Sequence, residues 1–438
     1  MSEKSSISAS STVADGGGAR ERLTHYLFRY PAKFHPPIAR SLIEKFSNPG
    51  QTIFDPFIGS GTSAVEALAT GRNAVGVDVD PVAVAVATAK TQRLRPQALK
   101  ASAELLLHRL GRYERDPREY EHRQFVDLSP ANYLRQSRQV IGYIPHIPNI
   151  EHWFRRYVII DLARIRRTLS ELEAPLAHRQ FLEIVFASII RNASNADPVP
   201  VSGLEVTSHM IRKDAEGRVI NPFMLFRKAI AKALVASKTF YEATTSKVHA
   251  KVFSGNAISL KRALRGINCI ITSPPYHGAV DYYRRHTLEM YWLGKTASHD
   301  ERLILLEKYI GRLSVPKRNL NPGLELSALA ARWEKRIREV SDRRADSFRH
   351  YAISMKSAFN EIAKVLRAGS PAIFVVGNSR WNGTELPTHD LLEEAAEDHF
   401  DLMETFSYSV KNRYMSYSRH NGADIKVDHV LVFHRRRR

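Results

Sequence analysis

The stretch Ile270-Ile271-Thr272-Ser273-Pro274-Pro275-Tyr276 sets a hydroxyl, proline carbonyls and an aromatic ring close together. The apolar run from Cys269 to Ile271 reads as a short buried strand. Two successive prolines cannot continue it, so the strand ends in a rigid corner. Proline has no N–H, so the carbonyls of the corner have few local donors and can face a ligand. Ser273 Oγ and the Pro274 carbonyl can accept from an amino group while Tyr276 stacks on the ring that bears it, with Pro275 fixing the turn. Read alone, the same residues also suit a plain proline turn at a strand end.

A second stretch carries complementary chemistry. A short strand, Thr52 to Phe54, runs into Asp55-Pro56-Phe57-Ile58-Gly59-Ser60-Gly61-Thr62. Ala64, Val65, Ala67 and Leu68 then share one helical face, and Gly71 is placed to end that helix. A further strand, Asn73 to Val77, finishes at Asp78. This is a βαβ unit with a glycine turn at its start and an acid at the tip of its second strand. Glycines there let backbone approach a ligand, and the acid can bind ribose hydroxyls. No Gly-Lys-Ser/Thr follows, so it is not a phosphate-binding P-loop. Position 64 is Ala, which weakens a nicotinamide site without closing that alternative.

Together the two stretches resemble the amino-directed DNA methyltransferases, whose signatures are an Asp-Pro-Phe-x-Gly-x-Gly loop and a Ser/Asn/Asp-Pro-Pro-aromatic turn. Two further segments are similar to that family. His25-Tyr26 and Tyr30-Pro31-Ala32-Lys33-Phe34-His35-Pro36 look like the part that packs under the methionine end of the cofactor. Ser254-Gly255-Asn256-Ala257 looks like the turn beside its adenine, with Asn256 where the family often has Asp. The resemblance covers about half of the chain. It implies an α/β fold, a mainly parallel Rossmann-like sheet with a C-terminal antiparallel hairpin and helical insertions. It implies S-adenosyl-L-methionine as cofactor, held by Tyr30, Lys33, Phe34, Asp55, Pro56, Phe57, Gly59, Gly61, Thr62, Asp78, Asn256 and Ala257. Asp55 is the candidate for its ammonium and Asp78 for its ribose.

The remainder is read from composition and pattern. At 43% hydrophobic residues the chain is globular. No apolar run is long enough to span a bilayer, which sets the expectation of a cytoplasmic, nucleoid-associated protein of prokaryotic type with no membrane partner. A single cysteine rules out an internal disulfide, and as Cys269 it sits inside a strand, misplaced for cytosine-C5 chemistry. The histidines are scattered and no metal site is expected. Lys+Arg number 65 against 45 Asp+Glu, a net charge of +20 that favours a polyanionic partner. With a base-modifying turn, that partner is expected to be double-stranded DNA.

The expected organisation follows. Residues 1–20, rich in Ser, Ala and Gly, read as a disordered N-terminus, and 21–95 as the cofactor half. Residues 96–245 form a helical insertion in which arginines and aromatics interleave, and in this family such an insertion usually reads the target. Arg155 and Arg156 are its candidate DNA contacts. Residues 246–295 return to the fold as the catalytic half, where Arg284 and Arg285 are candidates for phosphates beside the turn. Residues 296–345 form a second helical insertion, and 346–438 complete the sheet, with late strands near Phe406–Lys411 and His429–His434. The expected activity is transfer of methyl to the N4 amine of a flipped cytosine, since Ser rather than Asp or Asn opens the turn and Thr272 precedes it. A restriction endonuclease is a possible companion. N6-adenine methylation, an RNA amino methyltransferase and a non-catalytic nucleic-acid-binding protein stand as alternatives.

Overall fold

The computed structural model describes residues 23–31, 33–198, 204–260, 264–278, 282–312, 315–316, 324–381, 384–409 and 427–437. The N-terminal segment 1–20, expected to be disordered, lies outside these.

The centre is a seven-stranded sheet in the order β3-β2-β1-β4-β5-β9-β8. Its strands are β1 (Thr52–Asp55), β2 (Asn73–Asp78), β3 (Ala250–Ser254), β4 (Cys269–Thr272), β5 (Pro371–Gly377), β8 (Phe400–Ser409) and β9 (Val427–Arg435). A separate two-stranded ribbon is formed by β6 (Ser379–Trp381) and β7 (Thr384–Leu386). β3, β2, β1, β4 and β5 run parallel, while β9 pairs antiparallel with β5 and with β8. The chain order reverses between β1 and β4, so the carboxyl ends of these neighbours form a crevice at the topological switch point. This is the Rossmann-like fold expected, with the antiparallel hairpin at its C-terminal edge. The hairpin extends further than the pattern indicated, from Phe400 rather than Phe406.

Local sequence explains the central strands. In β4, Cys269, Ile270, Ile271 and Thr272 are all buried, because helices cover both faces of a parallel sheet. One face packs Phe54, Ile270, Phe359 and Phe374 together, and the other packs Ile53, Ile271, Ala64 and Val432. Helix α1 (Pro36–Phe46) and helix α2 (Thr62–Ala69) lie on the second face. Helix α3 (Pro81–Thr91) starts cleanly because Asp80 accepts from the Val82 and Ala83 N–H groups and Pro81 occupies its first turn.

The block after α3 is helical and packs on α3. Its helices, including Arg156–Ser170, Leu176–Ala193 and Pro222–Ala243, share one apolar core with Leu27, Phe28, Val82 and Val86. Leu288 and Trp292, which follow the Pro-Pro turn, enter the same core. Trp292 meets Phe154 and Phe186 edge-on, at centroid distances of 5.8 and 6.1 Å. Each such buried aromatic contributes on the order of 2–3 kcal/mol, so the block, α3 and the helix after the turn stabilise one another.

Candidate active site

β1 ends in the glycine loop. Gly59 and Gly61 take φ of +48° and +81°, a backbone that most side chains avoid. A Cβ on Gly61 would stand 2.9 Å from Ala87 Cβ in α3, so the loop also depends on close packing. The Ile58 N–H donates to the Val77 carbonyl over 3.1 Å, and the Gly59 N–H to Asp78 Oδ2 over 2.9 Å. The loop is thereby tied to the tip of β2.

Asp78 stands at that tip. Its Oδ1 accepts from the Asp80 N–H at 2.8 Å. Each oxygen keeps a lone pair for a ligand hydroxyl. Burial, reinforced by the nearby Asp80 carboxylate, pushes the Asp78 pKa up to about 7. Beyond β3, the Gly255 N–H donates to the Asp78 carbonyl, Asn256 holds its own turn through the Ile258 N–H, and Ala257 is buried beside them.

One cleft, about 840 Å³ including its open mouth, runs along these tips. Tyr30, Lys33, Phe34, Asp55, Pro56, Phe57, Gly59, Thr62, Asp78, Asn256, Ala257, Ser273 and Pro275 all line it. Gly61 sits at the N-terminus of α2 just behind. The glycine loop and the Pro-Pro turn, remote in sequence, thus face one space. Within the turn, Ser273 Oγ and the Tyr276 hydroxyl lie 3.4 Å apart, a long contact that an incoming polar group can replace.

The cleft suits a nucleoside joined to an amino acid. Thr62 Oγ1 is buried at its floor with no partner among the described residues. Lys33 reaches over the Tyr26 ring, its Nζ 4.1 Å from the centroid, and burial lowers its pKa to about 8. Tyr30 lies against Gly59 and packs on His286 at 4.7 Å, whose Nδ1 meets Asp80 Oδ2 at 2.7 Å. Asp78, the glycine loop and Lys33 set acceptors, backbone and a cation along one cleft, which fits a methyl donor with a nucleoside and an amino-acid end.

Asp55 lines the cleft, and its carboxylate also accepts from the loop, from α2 and from the end of β4. Its Oδ1 accepts from the Phe57 N–H at 3.0 Å and from Thr272 Oγ1 at 2.6 Å, and its Oδ2 accepts from Ser63 Oγ at 2.5 Å. Burial raises its pKa to about 6 against the pull of those donors. Arg155 and Arg156 are occupied internally. Arg155 donates to the carbonyls of Arg123, Gln124 and Arg218 and pairs with Asp214 at 3.1 Å. Arg156 pairs with Glu151 and donates to the Leu128 carbonyl. Arginine runs read as phosphate contacts because charge is visible in sequence, whereas the carbonyls that consume it come from distant loops. Arg284 is exposed on the short helix Tyr282–Arg285 beyond the turn, and the Arg285 carbonyl accepts from Arg191.

The structure also adds residues. Lys308, Tyr309 and Ile310, from the second insertion, form a wall of the cleft. The Lys308 carbonyl faces Asn256 Nδ2 at 3.5 Å, and the Gly311 carbonyl accepts from the Gly278 N–H at 3.1 Å. Nothing in that stretch of sequence marks it as part of a site. Cys269 is fully buried at the start of β4 and burial pushes its thiol pKa well up, unsuited to a nucleophile. Among the described residues no group of three or more His, Cys, Asp or Glu is placed to hold a metal, and no helix is long and apolar enough to cross a membrane.

Known proteins share these features. A family of N6/N4 methyltransferases, described as DNA methylase, matches residues 5–89, which hold the glycine loop and Asp78. The Type II methyltransferase M.MvaI of Kocuria varians is 22% identical over 396 residues, covering 85% of this chain and 81% of its own. The Type II methyltransferase M.BsoBI of Geobacillus stearothermophilus is 24% identical over 417 residues, covering 85% and 78%. M.MjaII of Methanocaldococcus jannaschii reaches 35% identity over 81 residues, 18% of this chain and 15% of its own. Loop, turn, sheet order and relatives agree: the chain is related to the amino-directed DNA methyltransferases, its N4 or N6 type left open.

Proposed function

We propose that the chain transfers a methyl group from S-adenosyl-L-methionine to the exocyclic N4 amine of cytosine in double-stranded DNA. One observation carries this reading: Ser273 and Pro275 open into the same cleft as Asp78 and the glycine loop. An amine held at the turn therefore faces whatever the loop holds.

An exocyclic amine in a stacked duplex is out of reach, so the target base leaves the stack. Tyr276 would stack on it. Ser273 Oγ and the Pro274 carbonyl would accept its two N–H groups. That favours a pyramidal nitrogen whose lone pair points into the cleft, which an aromatic amine otherwise lacks. The bound cofactor supplies an electrophilic methyl on a sulfonium. Asp78 would hold its ribose, Lys33 its carboxylate end, and Phe34, Phe57 and Tyr30 its apolar edges. Positioning provides much of the acceleration. Cytosine is favoured over adenine because Ser273, preceded by Thr272, opens the turn.

The helical block 96–245 is the proposed target reader, and the net charge of +20 supports a polyanionic substrate. Arg284 and Arg285 are the proposed phosphate contacts nearest the turn. The words "Type II" in the relatives' names support a place beside a restriction endonuclease in a prokaryotic cell.

The test is to incubate the purified chain with S-adenosylmethionine and duplex DNA, digest to nucleosides and separate them by mass spectrometry. N4-methylcytosine is expected. N6-methyladenine without it would overturn the assigned base and leave amine methylation standing. Methylation of RNA alone would overturn the substrate.

A further inference from the structure

A buried side-chain contact joins the tips of β1 and β4, which face the cleft. Asp55 ends β1 and Thr272 ends β4, and these strands are parallel neighbours. The Thr272 hydroxyl donates to Asp55 Oδ1 over 2.6 Å, across 217 positions of sequence. Thr272 is 0% exposed and Asp55 4%. The same carboxylate accepts from Ser63 in α2 and from the Phe57 N–H in the middle of the loop. It is the point where glycine loop, α2 and Pro-Pro turn meet.

Strand pairing does not need this hydroxyl. β4 is held by backbone ladders to β1 and β5, and a valine would fill the same volume. Burying a hydroxyl against a carboxylate desolvates both groups, which makes it a costly way to fill space. The bond does fix geometry. Ser273 is the next residue after Thr272, and Phe57 lies two after Asp55.

We propose that Thr272 is a positioning residue for methyl transfer: its hydroxyl, anchored on Asp55, sets the separation between the amine at Ser273 and the methyl donor held by the Asp55–Thr62 loop. This rests on the reading of the cleft as a cofactor site that faces an amine-accepting turn. Transfer needs reacting atoms about 3–3.5 Å apart, and a misplacement of about 1 Å slows such a step about a hundredfold. The bond also passes order across the cleft: a ligand that steadies the loop steadies the turn.

The experiment compares Thr272→Val, which removes the hydroxyl at nearly constant volume, with Thr272→Ser, which keeps it. Three quantities are measured on the full chain. They are the affinity for S-adenosylmethionine by calorimetry, the single-turnover rate on duplex DNA with both substrates saturating, and amide hydrogen exchange at Tyr276–Gly278 with and without S-adenosylmethionine. Thr272→Val is expected to bind cofactor within about threefold of the parent, to transfer methyl about tenfold to a hundredfold more slowly, and to lose cofactor-induced protection of the turn. Thr272→Ser is expected to stay within about threefold of the parent in rate and affinity and to keep the protection. A valine variant with parental rate and protection overturns the proposal. Equal losses in both variants also overturn it, since they assign the effect to side-chain shape, as does a loss confined to cofactor affinity. The exchange measurement uses no DNA. A parent that methylates no nucleic acid, yet shows hydroxyl-dependent protection, removes the proposed function and keeps the tie. A parent that does not bind S-adenosylmethionine removes both.

Discussion

In the proposed reaction two side chains divide the work of the cleft, and each predicts its own signature. Ser273 is proposed to accept from the target amine, so Ser273→Ala should lower turnover strongly while changing S-adenosylmethionine affinity little; calorimetry beside steady-state kinetics separates the two effects. Asp78 is the residue proposed for the ribose, and its pKa is raised to about 7 by burial and by Asp80. Ribose hydroxyls donate best to the ionised carboxylate, so binding favours that form. Through Asp78, affinity should therefore fall as the pH drops through about 7, by at most about tenfold per unit, while Lys33, its pKa lowered to about 8, loses its charge above that value. Asp78→Asn should lose most of that pH dependence. Asp78→Ala should weaken cofactor binding by about 1.5–3 kcal/mol per lost charged hydrogen bond, with DNA affinity little changed. Calorimetry at pH 8 and pH 6 checks this, and an affinity flat across the interval in the unaltered chain removes Asp78 from the ribose site.

At the scale of elements, the loop between β1 and α2 works only in one backbone conformation. Gly61 combines φ of +81° with a Cβ position 2.9 Å from Ala87 Cβ. Gly61→Ala should cost about 1–2 kcal/mol for the left-handed backbone and about 1–3 kcal/mol for overpacking against α3, and should weaken cofactor binding as the loop shifts. Urea denaturation beside calorimetry checks both effects. Arg155 joins the start of the helix Arg156–Ser170 to three carbonyls and Asp214. Arg155→Ala should destabilise by about 1–3 kcal/mol, because the carbonyls of Arg123, Gln124 and Arg218 lose a donor, while Asp214 keeps Arg218. The salt slope of DNA binding should stay as in the parent. A flattened slope with unchanged stability would return Arg155 to the DNA surface.

For the whole molecule, the block 96–245 shares one core with α3 and with the segments around Leu27 and Trp292, through Leu27, Val82, Val86 and Trp292. Deleting the block should therefore unfold the chain, while exchanging it for the matching block of a relative should preserve the fold and change the methylated sequence. Sequencing of modified positions in DNA from cells making the chimera measures this. Parental target choice in a folded chimera would move recognition elsewhere, with residues 296–345 the next candidate. With a net charge of +20, affinity for DNA should also fall about a thousandfold between roughly 50 and 200 mM salt if about six phosphates are contacted.

What the sequence determined by itself is local. The strand–glycine turn–helix–strand–acid order from Thr52 to Asp78 was legible because each piece follows from neighbours a few residues away: an apolar run, residues that tolerate positive φ, a helical face, a carboxylate at a strand tip. The Pro-Pro corner after Ile271 was legible for the same reason, and so was the late hairpin, whose ends alone were misjudged. Tertiary structure decided which groups meet. Thr272 reaches Asp55 across 217 residues, Lys308–Ile310 wall a cleft whose other lining residues come from segments as far back as Tyr30, and the arginines at 155 and 156 spend donors on carbonyls of Arg123, Gln124, Leu128 and Arg218. A side chain's type fixes what it can donate or accept. Its partner depends on which distant strand tips and loops the sheet order brings within three ångströms, and no local spacing encodes that.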